Sequence, residues 1–399
     1  MRTLIVSDLH LGSRSGSDLL RRPELRAPLL AALARAERLV LLGDVLELRH
    51  GPIRDALAAA RPFFEDLGRV LADGEIVLVP GNHDHALVDP WLTHRGEEHE
   101  PPALEAQQLL EPEQASPALQ RVAEWLAPAR VRVAYPGVWV RSDVYATHGH
   151  YLDCHLTVPT LERLSLGAMS RLLSRPASTF HCVSDYEATV APVFAWRDAV
   201  ARDARTGAML NGMATVGAWT ALTDSGAGGR GRRRPLLRAL RRRAIAGAFP
   251  LAVAALNRAG IGPLHADISM SELRRAGLLA MGEVAARLGL GDAYVVFGHT
   301  HRTGPLPGDR QQEWRGRDGA RLVNCGSWTY ASLFLTDTPG ESPYWPGGCV
   351  TVDEDGPPLL TRLLQDRTLA QIRPRASDDP LTRHRFDSAI ASARSPGEA

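Results

Sequence analysis

Short apolar runs recur along the chain, and each of five such runs is closely followed by Ser, Asp, Asn or His. These runs lie at residues 4–6, 39–42, 76–79, 144–147 and 294–297. Continuous apolar runs of this length, rich in β-branched residues, predict strands that are buried on both faces. Stretches rich in Ala, Leu, Arg and Glu near 24–37 and 53–72 predict helices between the first three strands, and the acidic stretch 97–113 predicts a loop. The order β-α-β-α-β is typical of an α/β fold.

The region after residue 290 predicts further strands. A sixth apolar run at 321–323 leads into Asn324, and two more strands are expected near 349–352 and 359–364. We expect the last two strands to complete a second sheet, which gives a core of two β layers.

Between these two regions the pattern changes to long helical stretches. Ala-, Leu- and Arg-rich segments near 160–174, 186–206, 235–257 and 270–288 have helical character. We therefore predict a core formed by residues 1–153 and 291–372, with an inserted helical cap at 154–290. Within the cap, the glycine-rich Ser225–Gly231 predicts a loop. The polar tail at 373–399 is a candidate for disorder.

Length and composition fit a folded enzyme. A length of 399 residues allows one large domain with an insertion, or two to three domains. The 44% of hydrophobic and 23% of charged residues exclude the disordered and collagen-like classes. The first strand begins at Arg2 with no secretory signal before it, so we expect a cytoplasmic site of action. The four cysteines contain no C-x-x-C pair, which disfavours a disulfide framework or a cysteine zinc site and predicts buried, reduced thiols.

The charge is nearly balanced but unevenly placed. The net charge is +1, yet Arg230 to Arg243 holds 8 of the 46 basic residues and no acidic residue. This run is a candidate contact for nucleic acid, but no aromatic residue interleaves it, and a solvated charge block remains the alternative. The 13 apolar or small residues from Ala244 to Leu256 predict a buried cap helix or, as the alternative, a helix in peripheral contact with a membrane. This stretch is shorter than the roughly 20 residues of a bilayer span, so we expect no transmembrane segment.

Polar motifs follow the predicted strands. They are Asp8-x-His10, Gly43-Asp44, Gly81-Asn82-His83-Asp84, His148-Gly149-His150 and Gly298-His299-Thr300-His301. Each motif alone also fits a turn or a structural histidine. Five of them in this order, each after a strand, form a specific signal. Because ligands of open α/β sheets bind at the carboxyl ends of the strands, we expect the motifs to converge on one site.

The donor set indicates metal chemistry. Carboxylates, an amide and imidazoles suit divalent ions of intermediate hardness, such as manganese, iron or zinc, and the lack of thiolate ligands disfavours a structural zinc site. Two such ions about 3.5–4 Å apart can bridge and activate a water and stabilise the attacking and leaving oxygens at phosphorus. The sequence thus predicts a two-metal phosphoester hydrolase.

The motifs resemble those of the calcineurin-like metallophosphoesterases, whose pattern is D-x-H, G-D, G-N-H-[DE], H-G-[HD] and G-H-x-H. The resemblance covers residues 2–150 and 292 to about 365, and no part of it extends to the predicted cap. It implies an α/β fold in which a two-layer β sandwich is flanked by helices.

The resemblance also implies a role for each motif residue. One metal ion is expected on Asp8, His10 and His301, the other on Asn82, His148 and His299, with Asp44 bridging both. Mn²⁺ is the favoured ion, with Fe or Zn²⁺ as alternatives.

The same resemblance assigns His83 as the group that protonates the leaving oxygen or stabilises the charged transition state, with Asp84 orienting its ring. His150 is expected either to support the ligands or to contact the substrate, and Glu47 to brace its turn. The other histidines lack metal-ligand spacing and are interpreted as structural or surface residues: His50, His85, His94, His99, His155, His181, His265 and His384.

The favoured function is a phosphodiesterase, with a phosphomonoesterase close behind. A nuclease is one alternative, since DNA-repair nucleases of the family share the G-N-H-D block. A lipid-linked pyrophosphatase is another, although the branch that hydrolyses UDP-2,3-diacylglucosamine typically has Arg where His83 stands and Asp where His150 stands. A non-catalytic interaction scaffold is the alternative from a different class, and the oligomeric state is left open.

Overall fold

The computed structural model describes residues 1–202, 248–332, 334–336 and 338–375. Its strands are, in chain order, β1 (Thr3–Val6), β2 (Arg38–Leu42), β3 (Glu75–Val79), β4 (Gln108–Leu110), β5 (Arg130–Tyr135), β6 (Gly137–Arg141), β7 (Val144–Thr147), β8 (Tyr294–Phe297), β9 (Thr303–Gly304), β10 (Arg321–Cys325), β11 (Gly348–Val352) and β12 (Leu359–Arg362).

The helices alternate with these strands in the first third of the chain and then dominate up to β8. They are α1 (Pro23–Leu33), α2 (Ile53–Val70), α3 (Asp89–Gly96), α4 (Pro112–Ala115), α5 (Pro117–Leu126), α6 (Leu161–Leu172), α7 (Val183–Arg202), α8 (248–258), α9 (Met270–Arg287) and α10 (Leu369–Ile372). Short 3-10 turns at Leu48–His50 and His150–Cys154 follow two of the polar motifs.

Two mixed sheets form the centre of the molecule. The first has seven strands in the order β12-β11-β1-β2-β3-β5-β4, and the second has five in the order β6-β7-β8-β10-β9. Strands β1, β2, β3 and β5 run parallel, as do β7, β8 and β10. The parallel neighbours β1 and β2 end together, with Val6 beside Leu41, so the residues that follow them emerge side by side.

Alternation of side chains along the strands builds three apolar layers. Ile5, Val40 and Val77 of the first sheet pack against Val144 and Val296 of the second, and this cluster lies between the sheets. Burying a side chain of this size contributes about 1.5–3 kcal/mol, so this inner layer holds the sheets together.

The outer faces of both sheets are covered by helices. Leu39 and Leu41 of β2 share a cluster with residues of α1, α2 and α5, such as Phe64. On the second sheet, Val295 and Phe297 share a cluster with α9 residues that include Met281. The architecture is therefore a β sandwich flanked by helices, as predicted.

The described residues of the predicted cap, 154–202 and 248–290, are called the helical segment below. Thr160 and Ser269 cap α6 and α9 by accepting the N–H groups of Arg163 at 3.1 Å and Glu272 at 3.2 Å. Tyr186 of α7 packs in the same cluster as the second sheet, so the segment is joined to the core by apolar contacts. The boundaries of the cap at 154 and 290 stay a prediction.

Several expectations about the fold were wrong. The strands near 349–352 and 359–364 do not complete the second sheet, because β11 pairs antiparallel with β1 and β12 with β11 in the first. The stretch 97–113 is not all loop, since β4 and the start of α4 lie in it. Strands β5 and β6 were missed. Cys154, Cys325 and Cys349 are buried free thiols as expected, whereas Cys182 is exposed.

Predictions for the middle of the chain have mixed outcomes. The loop at Ser225–Gly231, the run Arg230 to Arg243 and most of the tail from 373 lie outside the described residues. In the described part of the Ala244 to Leu256 stretch, Val253 is the buried residue and Leu251 is 73% exposed, so this part is not a buried helix. Within the described residues, no helix has both the length and the apolar content needed to cross a bilayer.

Candidate metal centre and its cleft

The candidate ligands meet where strands of both sheets end. Asp8 follows β1 and its N–H bonds to the Gly43 carbonyl at 3.1 Å, while the N–H of His10 bonds to the Asp44 carbonyl at 2.8 Å. The N–H of His299, after β8, donates to Asp8 Oδ2 at 2.9 Å. These backbone bonds tie the loops of the two sheets into one edge.

Donor atoms at this edge form three overlapping groups, each within 4.8 Å. The groups are Asp8, His10 and His301; His10, Asp44 and His83; and Asp44, His148 and His299. The amide oxygen of Asn82 lies 3.0 Å from both His148 Nε2 and His299 Nδ1. All seven residues expected to hold metal are thus brought together, with Asp44 between the two outer groups.

The backbone at the centre is held in a disfavoured conformation. Positive φ angles occur at five of the candidate ligands: Asp8 (57°), His10 (46°), Asp44 (51°), His299 (63°) and His301 (56°). Ser174 is the one other non-glycine residue with positive φ in the described part of the chain. Each such residue costs on the order of 1–3 kcal/mol, and such strain clusters where side chains must be aimed for function.

Each candidate ligand imidazole is fixed from behind by one ring nitrogen. The partners are Glu47 Oε2 at 3.0 Å from His10 Nδ1, the Leu42 carbonyl at 3.1 Å from His148 Nδ1, Asp153 Oδ2 at 2.9 Å from His299 Nε2, and Thr329 Oγ1 at 3.4 Å from His301 Nδ1. The other nitrogen of each ring is left for the centre. This arrangement is typical of metal-binding histidines, whose second nitrogen is hydrogen-bonded to a carboxylate or carbonyl.

Several potential metal-ligand atoms at the centre lack a suitable hydrogen-bond partner, which fits a bound cation. The Nε2 atoms of His10 and His301 face each other at 3.3 Å, and the buried Asp8 Oδ1 has no hydrogen bond although it lies 3.1 Å from His301 Nε2. A divalent ion among these atoms would accept all of them as ligands. The mixture of carboxylate, amide and imidazole suits ions of intermediate hardness.

The carboxylates and imidazoles of the centre shift one another's pKa values. Burial alone would raise the pKa of Asp44, but the His148 and His83 rings hold it well below its usual range. Burial would likewise lower the pKa of His148, whereas Asp44 and Asp8 raise it to about 9. The carboxylates therefore stay ionised, and protons compete with cations for the ring nitrogens.

A comparison with protein families finds a match in the first part of the chain. Residues 1–185 match the sequence model of the calcineurin-like phosphoesterase family. This part of the chain is therefore similar to that family. The G-H-T-H motif at 298–301 lies beyond the matched residues, yet the fold places it at the same centre.

Two further comparisons add little to this family assignment. No curated protein matches the chain. Among solved structures, the chain is similar to a cold-active protein-tyrosine phosphatase of a psychrophilic Shewanella species, at 12% identity over 90% of this chain and 80% of that one. The TM-score of 0.26 is too low for that likeness to carry an argument.

At the candidate metal centre, Glu47 rather than Asp84 orients the His83 ring. His83 Nδ1 lies 2.9 Å from Glu47 Oε2. Asp84 instead accepts backbone N–H groups, at 2.6 Å from Gly81 and 2.7 Å from Val45, as well as those of Asp44 and Leu46. The expectation that Asp84 orients the ring is therefore wrong, because its oxygens are used to brace the loops that carry Asp44 and Asn82.

His83 lies at the centre but remains partly open to the cleft. Burial lowers its pKa to about 4, against the opposing pull of Glu47 and Asp44. The ring is therefore neutral near pH 7 without bound ions or substrate. Since Nδ1 is held by Glu47, Nε2 is left for the cleft that His83 lines.

His150 lies behind the centre. It is fully buried, neither ring nitrogen has a hydrogen bond, and its ring packs 5.7 Å from that of His148 and 5.5 Å from Phe194. Burial lowers its pKa well below the usual range. This placement favours support of His148 over direct contact with a substrate.

A cleft of about 500 Å³ opens over the centre. Its walls include four arginines that the sequence analysis did not single out: Arg49, Arg197, Arg274 and Arg302. Burial lowers the pKa of Arg49, and nearby Arg197 adds to this effect, so positive charge is concentrated there. The signal for Arg49 was its position five residues after Asp44, whereas nothing local distinguished Arg197.

Proposed function

We propose that the chain hydrolyses phosphodiesters in preference to phosphomonoesters, using two divalent metal ions, with Mn²⁺ favoured over Fe or Zn²⁺. The family match over residues 1–185 and the clustered candidate ligands support the broader statement of a metal-dependent phosphoesterase. The observation that carries the finer proposal is the pair of donor groups that share Asp44.

The donor geometry suggests which residues would hold each ion. Asp8, His10 and His301 would hold one, and Asn82, His148 and His299 the other, with Asp44 common to both. When bound, two such ions supply positive charge for the phosphoryl oxygens and lower the pKa of a water.

His83 would donate the proton that the leaving group takes up. Glu47 fixes the ring through Nδ1, so Nε2 can hold a proton and pass it to the leaving oxygen. A phosphate anion in the cleft would raise the pKa of this ring, opposing the effect of burial. An alkoxide is a poor leaving group without such a proton, which is why we favour diesters.

Other parts of the proposal rest on the sequence. The nuclease alternative depends on Arg230 to Arg243, which lies outside the described residues. The convergence of every candidate ligand supports an enzyme over an interaction scaffold. A cytoplasmic site of action rests on the sequence alone, and the oligomeric state stays open.

The test is Mn²⁺-dependent hydrolysis of bis(p-nitrophenyl) phosphate beside p-nitrophenyl phosphate, before and after chelation. We expect faster turnover of the diester, and its loss with chelator and in Asp44→Asn, because several kcal/mol of charge stabilisation corresponds to roughly 10³-fold in rate. Asp292→Asn, on an exposed carboxylate, is the matched control and should behave as the unchanged protein. Faster turnover of the monoester would reverse the preference, and chelator-resistant turnover would contradict the metal.

A further inference from the structure

Three neutral polar side chains that line the cleft already have hydrogen-bond partners. Thr160 Oγ1 accepts the Arg163 N–H, Ser165 Oγ donates to the Leu161 carbonyl, and the Asn324 amide donates to Gly298 O and Thr300 Oγ1 while its oxygen accepts the Gly326 N–H. These side chains therefore have few free donors or acceptors with which to recognise a ligand.

The buried side-chain atoms of the cleft that lack a hydrogen bond are of one kind. Among cleft-lining side chains in the described part of the chain, the buried atoms without a hydrogen bond are all N–H donors: Arg49 Nε and Nη2, Arg197 Nη2, Arg274 Nε, Arg302 Nε and Trp314 Nε1. Arg49 and Arg197 keep these donors although Arg49 Nε lies 3.9 Å from Asp198 and Arg197 Nη1 is bonded to Glu162 at 3.1 Å. Surplus donors on guanidinium groups fit an acceptor-only anion such as phosphate.

The rest of the cleft wall is apolar and comes largely from the helical segment. It includes Leu156, Leu161, Trp196, Val200, Leu273 and Leu278. Trp196 of α7 is 57% exposed and Leu161 of α6 is 38% exposed. Apolar side chains left in water beside a cleft of this size indicate that an apolar group covers them when a ligand binds.

We propose that the substrate is an amphiphilic phosphoester, with its phosphate held near Asp44, Arg49 and Arg197 and an alkyl or acyl chain lying along the wall formed by α6, α7 and α9. This inference rests on the proposed function and narrows its substrate class. Aliphatic chains need burial and no hydrogen bonds, which is what this wall offers. A nucleobase presents donors and acceptors together, whereas the buried cleft atoms without a hydrogen bond are donors alone.

The test varies chain length at constant chemistry. Methyl, butyl and octyl p-nitrophenyl phosphodiesters share one leaving group and are assayed with Mn²⁺ below the concentrations at which they aggregate. A fully buried CH₂ is worth about fourfold in binding. We therefore expect kcat/KM to rise at least about tenfold from methyl to octyl, mainly through KM.

Matched leucine variants on α6 locate the effect. Leu161→Ala should lower the octyl-to-methyl ratio of kcat/KM at least about threefold, since it removes buried contact with the chain. Leu172→Ala is the control on the same helix, because Leu172 is 77% exposed and does not line the cleft. Trp196→Ala should lower the ratio as Leu161→Ala does.

The possible results separate this inference from the proposed function. Turnover independent of chain length, or best turnover of the p-nitrophenyl ester of thymidine 5′-phosphate, would overturn the substrate class and leave the phosphodiesterase intact. If no ester is hydrolysed, the proposed function fails, and titration calorimetry with methylphosphonate and octylphosphonate decides the class. Binding of octylphosphonate that is tighter than binding of methylphosphonate supports the amphiphilic substrate class, and equal binding of both probes overturns it.

Discussion

The sheet core and the helical segment differ in backbone strain and in the exposure of large apolar side chains. In the core, candidate ligands such as Asp8 and His301 lie on strained backbone and are tied from behind by hydrogen bonds. In the helical segment, Ser174 is the one strained non-glycine residue described, and large apolar side chains such as Trp196 and Leu251 are exposed. In the core, strained backbone directs the candidate ligand atoms to one point. The helical segment instead exposes large apolar side chains. In the proposed function the chemistry takes place in the core, and the proposed choice of substrate belongs to the helical segment.

The largest expected effect concerns the core alone. His83→Ala should lower kcat about 10²–10⁴-fold, the usual contribution of a positioned acid or base. Its metal content should stay that of the unchanged protein, because both outer donor groups remain. Turnover of a phosphodiester with an alkoxide leaving group, which needs the proton, and metal analysis of the same preparation check this. His94→Ala on the surface of α3 is the control, and retained turnover would remove His83 from the mechanism.

A second comparison sets Glu47 against Asp84. Glu47→Gln should lower turnover about 10–100-fold, since the carboxylate holds both His83 and His10. Asp84→Ala should instead lower the free energy of unfolding by at least about 2 kcal/mol, because four backbone N–H groups lose their acceptor. Urea unfolding and steady-state kinetics on both variants distinguish the two roles, and the reverse result would restore Asp84 as the orienting group.

The third prediction concerns Asp153, which lies at the boundary between the sheet core and the helical segment. Asp153 lies at the end of the predicted core and bonds to His299 Nε2 at 2.9 Å, which leaves Nδ1 for a metal ion. Asp153→Asn should weaken binding of one of two Mn²⁺ ions about 10–100-fold. Competition with a chelating dye measures this without activity. Asp143→Asn, on a surface ion pair with Arg141, is the matched control, and unchanged affinity would make Asp153 a purely structural residue.

The sequence predicted the elements that local pattern determines. Continuous apolar runs placed β1, β2 and β3, and polar residues at strand ends placed Asp8 and Asp44 at one edge. Strand β5 was missed because Arg130 and Arg132 alternate with its apolar residues, a half-exposed pattern that a search for continuous runs overlooks.

Relations between distant residues could not be predicted in this way. The pattern of β11 indicates a strand but not its partner β1, since pairing depends on the path of the whole chain. Asp84 is adjacent to His83 in sequence, yet the oxygen that reaches the ring belongs to Glu47. The pairing of Arg49 with Arg197 in one cleft depends on how α7 packs, which no local spacing records.

The smallest expected effect compares one histidine of each region, His148 and His155, by the sign of its pH dependence. In the core, Asp44 and Asp8 raise the pKa of His148 to about 9. In the helical segment, burial, with Arg287 and Arg163 adding to it, lowers the pKa of His155 to about 3, and its Nε2 lies 2.7 Å from the Tyr186 hydroxyl. A histidine with a lowered folded-state pKa destabilises the fold as pH drops below its unfolded value of about 6.5.

His155→Gln removes this proton, so it should reduce the loss of stability between pH 7.5 and 5.5 by about 1 kcal/mol. The measurement is the urea unfolding free energy of the chelated protein and the variant at both pH values. His148 cannot produce this loss, because a raised pKa stabilises the folded state at low pH and that contribution fades only as pH rises toward 9. A variant that loses as much stability as the unchanged protein would place the acid-sensitive group elsewhere. A reduced loss would show that His155 of the helical segment contributes to the acid sensitivity of the fold, beside the core residues His83 and His150, whose pKa values are also lowered.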